Sequence, residues 1–134
     1  MSAPWQAYVA VGWAIIGVPL LVYAATRVRH GRIPLHATLM IGAVIVTVGV
    51  VASFGFVQHP SPRRPQLLAL PLFKIHLAFA FTALAGMAWQ LTSRAAPRLR
   101  GLHRHTGPYV VLAWCLTLFT GIYNFVFLYL MGSP

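Results

Sequence analysis

Polar positions in this chain fall in short clusters, and the stretches between them are apolar and uncharged. Those stretches cover residues 1–26, 33–61, 75–93 and 106–134. About 20 mostly apolar residues suffice for a helix to cross the hydrocarbon core of a bilayer, and each stretch can supply them. The pattern predicts four spanning helices, over about residues 5–26, 34–57, 71–92 and 108–131. Pro34, Pro71 and Pro108 stand where the second, third and fourth helices would start, a place where a missing N–H costs little. Thr106 is a candidate cap for the fourth. Pro19 lies inside the first span and predicts a kink there. Residues 59–65, with three prolines in seven positions, read as a loop. Period-2 alternation does not recur as a barrel would need. The expected fold class is therefore all-α, an integral membrane four-helix bundle forming a single domain over residues 1–134. The first span has no basic segment before it and is too long for a signal-peptide core. No soluble domain is expected at either end.

Composition sharpens this. Apolar types make up 59% of the chain and charged types 7%, far below the roughly 25% charge of a soluble domain. The mean hydropathy is +0.76. There are ten Lys and Arg and no Asp or Glu, which excludes paired-carboxylate catalysis, a carboxylate metal cage and a Ser-His-Asp triad. The single cysteine, Cys115, excludes an internal disulfide and a Cys-rich zinc site; it reads as an inert core residue. The first and third loops carry Arg27, Arg29, Arg32, Arg94, Arg98, Arg100 and Arg104, whereas the second carries Arg63, Arg64 and the adjacent Lys74. The positive-inside rule puts loops one and three in the cytoplasm and both termini on the outer side. The expected location is the cell inner (plasma) membrane, as a multi-pass protein. With charge divided between two faces, nucleic acid is not an expected partner; membrane lipids are.

The histidines are the remaining chemistry. His36 and His103 fall near the cytoplasmic ends of spans, and His59 and His76 near the outer ends. Thirty-six to fifty-nine is about 34 Å of helix, and the two positions point about 140° apart. One ligand cannot bind both, so the spacing suggests two sites, His36 with His103 and His59 with His76. Two imidazoles from facing helices can ligate a b-type haem. Arg32 and Arg104 at the inner site, and Arg63 and Arg64 at the outer one, have no carboxylate of the chain to pair with and would meet haem propionates. Met40, four residues after His36, makes a His/Met copper site the alternative. His103 and His105 are expected just before the fourth helix, and His30 and His105 read as loop residues. Trp5, Trp13 and the aromatics between Tyr123 and Tyr129 read as interface and bundle aromatics. Gly12, Gly17, Gly42, Gly49, Gly55, Gly86 and Gly121 read as close-packing points between helices.

Several of these segments resemble a known family. Arg27-Val-Arg-His-Gly-Arg32 leads to His36 and Met40; His59 follows the second span, then Lys74-Ile-His76; His103-Arg104 precedes Trp114 and Thr120-Gly121. In order and spacing, over roughly residues 27–124, these resemble domain of unknown function family 420, the YozB/CtaM-like small membrane proteins. The resemblance implies a four-helix membrane protein. It also implies a link to maturation or activity of haem-copper terminal oxidases, with His36, His59, His76 and His103 as the functional histidines.

The sequence thus points to a histidine-rich respiratory membrane protein. It would bind one or two b-type haems and move electrons within a larger respiratory complex. An oxidase assembly factor handling copper or haem, and a purely structural small subunit, are the alternatives. Independent catalytic activity is not expected, because no nucleophile–base pair is present.

Overall fold

The computed structural model describes residues 3–56 and 69–131. Helix α1 runs Trp5–Arg29, α2 Ile33–Phe56, α3 Pro71–Ala95 and α4 Arg100–Phe125. A 3₁₀ turn, Pro97–Leu99, leads into α4, and a π-helical segment, Val126–Met131, continues it. No strand occurs among the described residues. All four helices are long and apolar enough to cross a membrane, so the all-α four-span architecture is the one the hydropathy pattern predicts.

The α1–α2 turn follows from one glycine. Arg32 N–H donates to Arg27 O at 2.9 Å and Gly31 N–H to Val28 O at 3.1 Å, with Gly31 at φ +72°. That is a Schellman closure, and the left-handed residue it requires is most easily a glycine. Pro34 then lies in the first turn of α2, and Pro71 opens α3, both as expected.

The fourth helix differs from expectation. It begins at Arg100, eight residues before Pro108. His103, His105 and Thr106 are therefore helical, Thr106 is not a cap, and Pro108 sits inside the helix. The start signal is Pro97, at the head of the 3₁₀ turn. Pro19 lies within α1, as read.

Helix α1 packs against both α2 and α4, and α4 against α3; α2 shares no broad interface with α3 or α4 among the described residues. The Tyr8 and Phe125 rings meet edge to face at 5.5 Å, so α1 starts where α4 finishes. Both basic turns accordingly lie at one end of the bundle, called here the arginine-rich end. Buried residues of α1 include Ala7, Ala14, Gly17, Leu21 and Ala24, a mostly small-residue stripe at heptad-like spacing. Small side chains let helix backbones approach where apolar surface alone gives no preference over lipid. Leu21, Ala43, Ala83, Met87, Trp114 and Leu118 join in one core with the free thiol of Cys115. The outer faces are apolar and suited to lipid contact: Ile15, Ile45, Phe81 and Tyr109 are all exposed.

The glycine expectations divide. A Cβ on Gly17, Gly86 or Gly121 would meet Leu118, Val110 or His76 respectively, so these are close approaches. Gly12, Gly42 and Gly49 have open space instead and are not packing points within the chain. The side chain position of Gly55 lies outside what is described. Gly86 is the tightest: an added Cβ would lie 2.7 and 2.8 Å from the two Val110 methyls. Valine is β-branched and stiff about χ1, so it cannot swing away cheaply. Gly86→Ala is expected to destabilise the bundle by about 1–3 kcal/mol. Pairing it with Val110→Ala should recover much of the loss, as read by thermal unfolding in detergent.

Candidate functional site

Three of the four candidate histidines are described, and all three use the same ring atom in the same way. His36, one turn into α2, lies with Nδ1 2.8 Å from the Ala24 carbonyl of α1. His103, in the first turn of α4, has Nδ1 3.1 Å from the Gln90 carbonyl of α3. His76, near the start of α3, has Nδ1 3.1 Å from the Thr117 carbonyl and 3.0 Å from Thr120 Oγ1, both on α4. Each imidazole thus bridges two helices.

A carbonyl can only accept, so each Nδ1 carries the proton and donates it. In the neutral ring the lone pair then resides on Nε2. At His76 the hydroxyl agrees, because Thr120 Oγ1 donates its own proton to Leu116 O at 2.8 Å or Thr117 O at 3.1 Å and is left as an acceptor toward the ring. The His76 ring also stacks near Phe73, at 6.1 Å and 22°. It lies against Gly121, where an added Cβ would come within 3.4 Å of Cε1.

At His103 the Gln90 side chain joins in. Its amide presents either oxygen or nitrogen 2.7 Å from His103 Nδ1, depending on orientation. Thr106 Oγ1 already donates to Leu102 O at 2.8 Å and accepts from Trp89 Nε1 at 3.1 Å. One orientation sends the Gln90 NH₂ to Thr106 at 2.8 Å and its oxygen to the ring, but sets that oxygen 3.2 Å from the His103 carbonyl and the NH₂ 3.1 Å from the Gly107 N–H. The opposite orientation turns the NH₂ to His103 Nδ1 and His103 O and lets the oxygen accept from Thr106 and the Gly107 N–H. The His103 tautomer therefore rests on the Gln90 main-chain carbonyl and not on the Gln90 side chain.

The predicted pairs fare differently. His36 and His103 lie at the same end of the bundle, but on α2 and α4, which do not pack broadly together. Each is tied to its own hairpin partner, and no hydrogen bond or ring contact joins them. His59, Arg63 and Arg64 lie outside the described residues. Arg32 is exposed in the first turn, and Arg104 is exposed on α4 next to His103. Met40, partly buried, packs against the core cluster. His30 donates within its own turn to Thr26 O at 2.9 Å and is exposed, as read. No group of three or more His, Cys, Asp or Glu gathers for a metal among the described residues. The partners Ala24, Gln90, Thr106, Thr117 and Thr120 were not singled out from the sequence for this role; only Thr120-Gly121 stood out, through the family likeness.

No protein-family model, no curated protein and no solved structure matches this chain. The likeness to family 420 thus rests on the motif residues alone, and the site must be argued from its own geometry.

The geometry makes a spectroscopic prediction. Nitrogen-15 spectra of the ring-labelled protein should show His36, His76 and His103 in the Nδ1–H form whenever the ring is neutral. An Nε2–H ring at any of the three would show that its donor assignment is wrong.

Proposed function

We propose that this chain is a membrane-embedded haem protein. It binds one or two b-type haems through histidines and carries electrons, as a subunit or accessory of a larger respiratory complex in the cell inner membrane. The observation that carries this reading is the common state of His36, His76 and His103. Histidines that ligate a metal characteristically donate their other ring N–H to a carbonyl or carboxylate, which fixes the tautomer, aims the ring and raises the basicity of the ligating nitrogen. Here three rings have that anchoring hydrogen bond from Nδ1, leaving Nε2 as the available donor atom. The chemistry of the donor set fits a haem iron, which takes neutral imidazole.

At the arginine-rich end His36 and His103 would hold the haem, with Arg32 and Arg104 offsetting its propionates. At the other end the holders would be His76 with His59, and the cations Arg63 and Arg64. A bound haem supplies a one-electron couple. The chain's own residues contribute the rest: main-chain carbonyls hold each imidazole in one tautomer, and the apolar helices keep water from it. The absence of Asp and Glu leaves no internal carboxylate to compete for the arginines. The basic bias supports a topology with the arginine-rich end in the cytoplasm and both termini outside. The likeness to family 420 suggests a haem-copper terminal oxidase as the partner complex.

A reduced-minus-oxidised visible spectrum of the purified protein, taken with metal analysis, tests this. A b-type α-band is expected, and His76→Ala should lose the haem at its end. A featureless spectrum with copper bound and lost in His59→Ala would replace the haem reading with copper handling. With neither metal nor haem present, the chain would be a structural subunit.

A further inference from the structure

Arg27 has a need that nothing described in the chain meets. Its Nε is shut away from solvent and has no hydrogen-bond partner. Its guanidinium carbon lies 4.3 Å from the centroid of the Tyr23 ring, one turn earlier on α1, so the flat cation is held against the helix. A cationic N–H removed from water without an acceptor is costly, and the usual acceptor is a carboxylate. The whole chain has none on any side chain. Nε itself is closed to other molecules, so it is the accessible remainder of the half-buried guanidinium that an anion from outside the chain can meet.

Position and surroundings say which kind. Arg27 is in the last turn of α1, where the span ends and lipid headgroups lie. Arg29 shares that turn, and the Schellman closure donates two main-chain N–H groups, of His30 and Arg32, to the Arg27 carbonyl. The turn is thus fixed rather than free to fold the arginine elsewhere. Val22, Tyr23 and Val28 around it are exposed and apolar, a surface for an acyl chain beneath the charge. The His30 ring is already committed to Thr26 O. We infer that Arg27, supported by Arg29 and seated on Tyr23, binds the phosphodiester of an anionic phospholipid. A guanidinium suits this because its planar fork meets phosphate oxygens in pairs and stacks on an aromatic ring, which an ammonium does neither of as well. This site does not depend on the haem reading.

The test uses the full-length protein in a neutral detergent, titrated with phosphatidylglycerol or phosphatidylcholine and followed by melting temperature. Phosphatidylglycerol should raise the melting temperature with a saturable dependence, and phosphatidylcholine should not. Arg27→Gln should weaken the apparent affinity for phosphatidylglycerol about tenfold, the loss of one charge-assisted hydrogen-bonded contact. Arg27→Lys should weaken it as well, while Arg98→Gln, an exposed arginine at the same end, should change it less than about twofold. Equal effects of the two lipids would overturn the proposal, as would equal losses in Arg27→Gln and Arg98→Gln. If Arg27→Gln does not fold, Arg27→Lys decides, and wild-type affinity in that variant refutes the site. Protection by inorganic phosphate equal to that by phosphatidylglycerol would show an anion site without lipid character. Displacement of phosphatidylglycerol by added haem would assign the anion to a propionate; either result overturns the inference.

Discussion

A main-chain carbonyl inside a helix retains a second lone pair after accepting its own helical N–H. This bundle depends on that spare lone pair. The chain has no carboxylate to place between helices, and a membrane interior offers no water to satisfy a buried polar group. Neutral groups serve instead: indole and amide N–H groups reach threonine hydroxyls, and histidine ring nitrogens donate to carbonyls on a neighbouring helix. Ala24, Gln90 and Thr117 supply them, and His36, His103 and His76 use them. The same bond that ties two helices also decides which ring nitrogen is left with a lone pair. Structure and candidate chemistry are two results of one contact.

The fourth helix shows how local signals and tertiary contacts compete. Thr106 and Pro108 look like a cap and a first turn, and the basic cluster before them looks like a loop. Proline inside a helix removes the N–H that would serve the Arg104 carbonyl and crowds the preceding turn. The chain tolerates it because the turns ahead of it are fastened sideways. His103 holds the first turn to Gln90, and Thr106 receives hydrogen bonds from Trp89 and Gln90. The result is a helix that extends past the point where its sequence suggests a start.

How much was readable follows from what each feature leaves in a sequence. Helix number and approximate limits, the start of α4 excepted, were legible, because uncharged length is a direct record of bilayer thickness. Which face of each helix turns inward was not, since residues such as Ile15 and Ile45 on the outside are as apolar as Leu21 within. Small residues mark the inner face of α1, but glycine does so only partly: Gly86 and Gly121 are in contact, while Gly42 and Gly49 face open space. The histidines stood out by type and by position near span ends. Their acceptors did not, because every residue carries a carbonyl and nothing in the side chain of Ala24 or Gln90 announces that its own is used. The pairing of His36 with His103 was drawn from their shared end, whereas the structure ties each to its neighbour in the chain.

That last feature bears on the order in which the protein is put together. The His36–Ala24 and His103–Gln90 clasps join residues 12 and 13 apart, whereas His76 reaches Thr117 and Thr120 across 41 and 44. Short loops close at lower entropic cost and sooner than long ones. As the chain leaves the ribosome, each hairpin can latch at its bend once the opening turns of its second helix have emerged. The clasp at the far mouth of the α3–α4 pair waits until most of α4 has been made. By loop length alone, each hairpin favours closing from its bend, with His76 engaging after His103 in the α3–α4 pair.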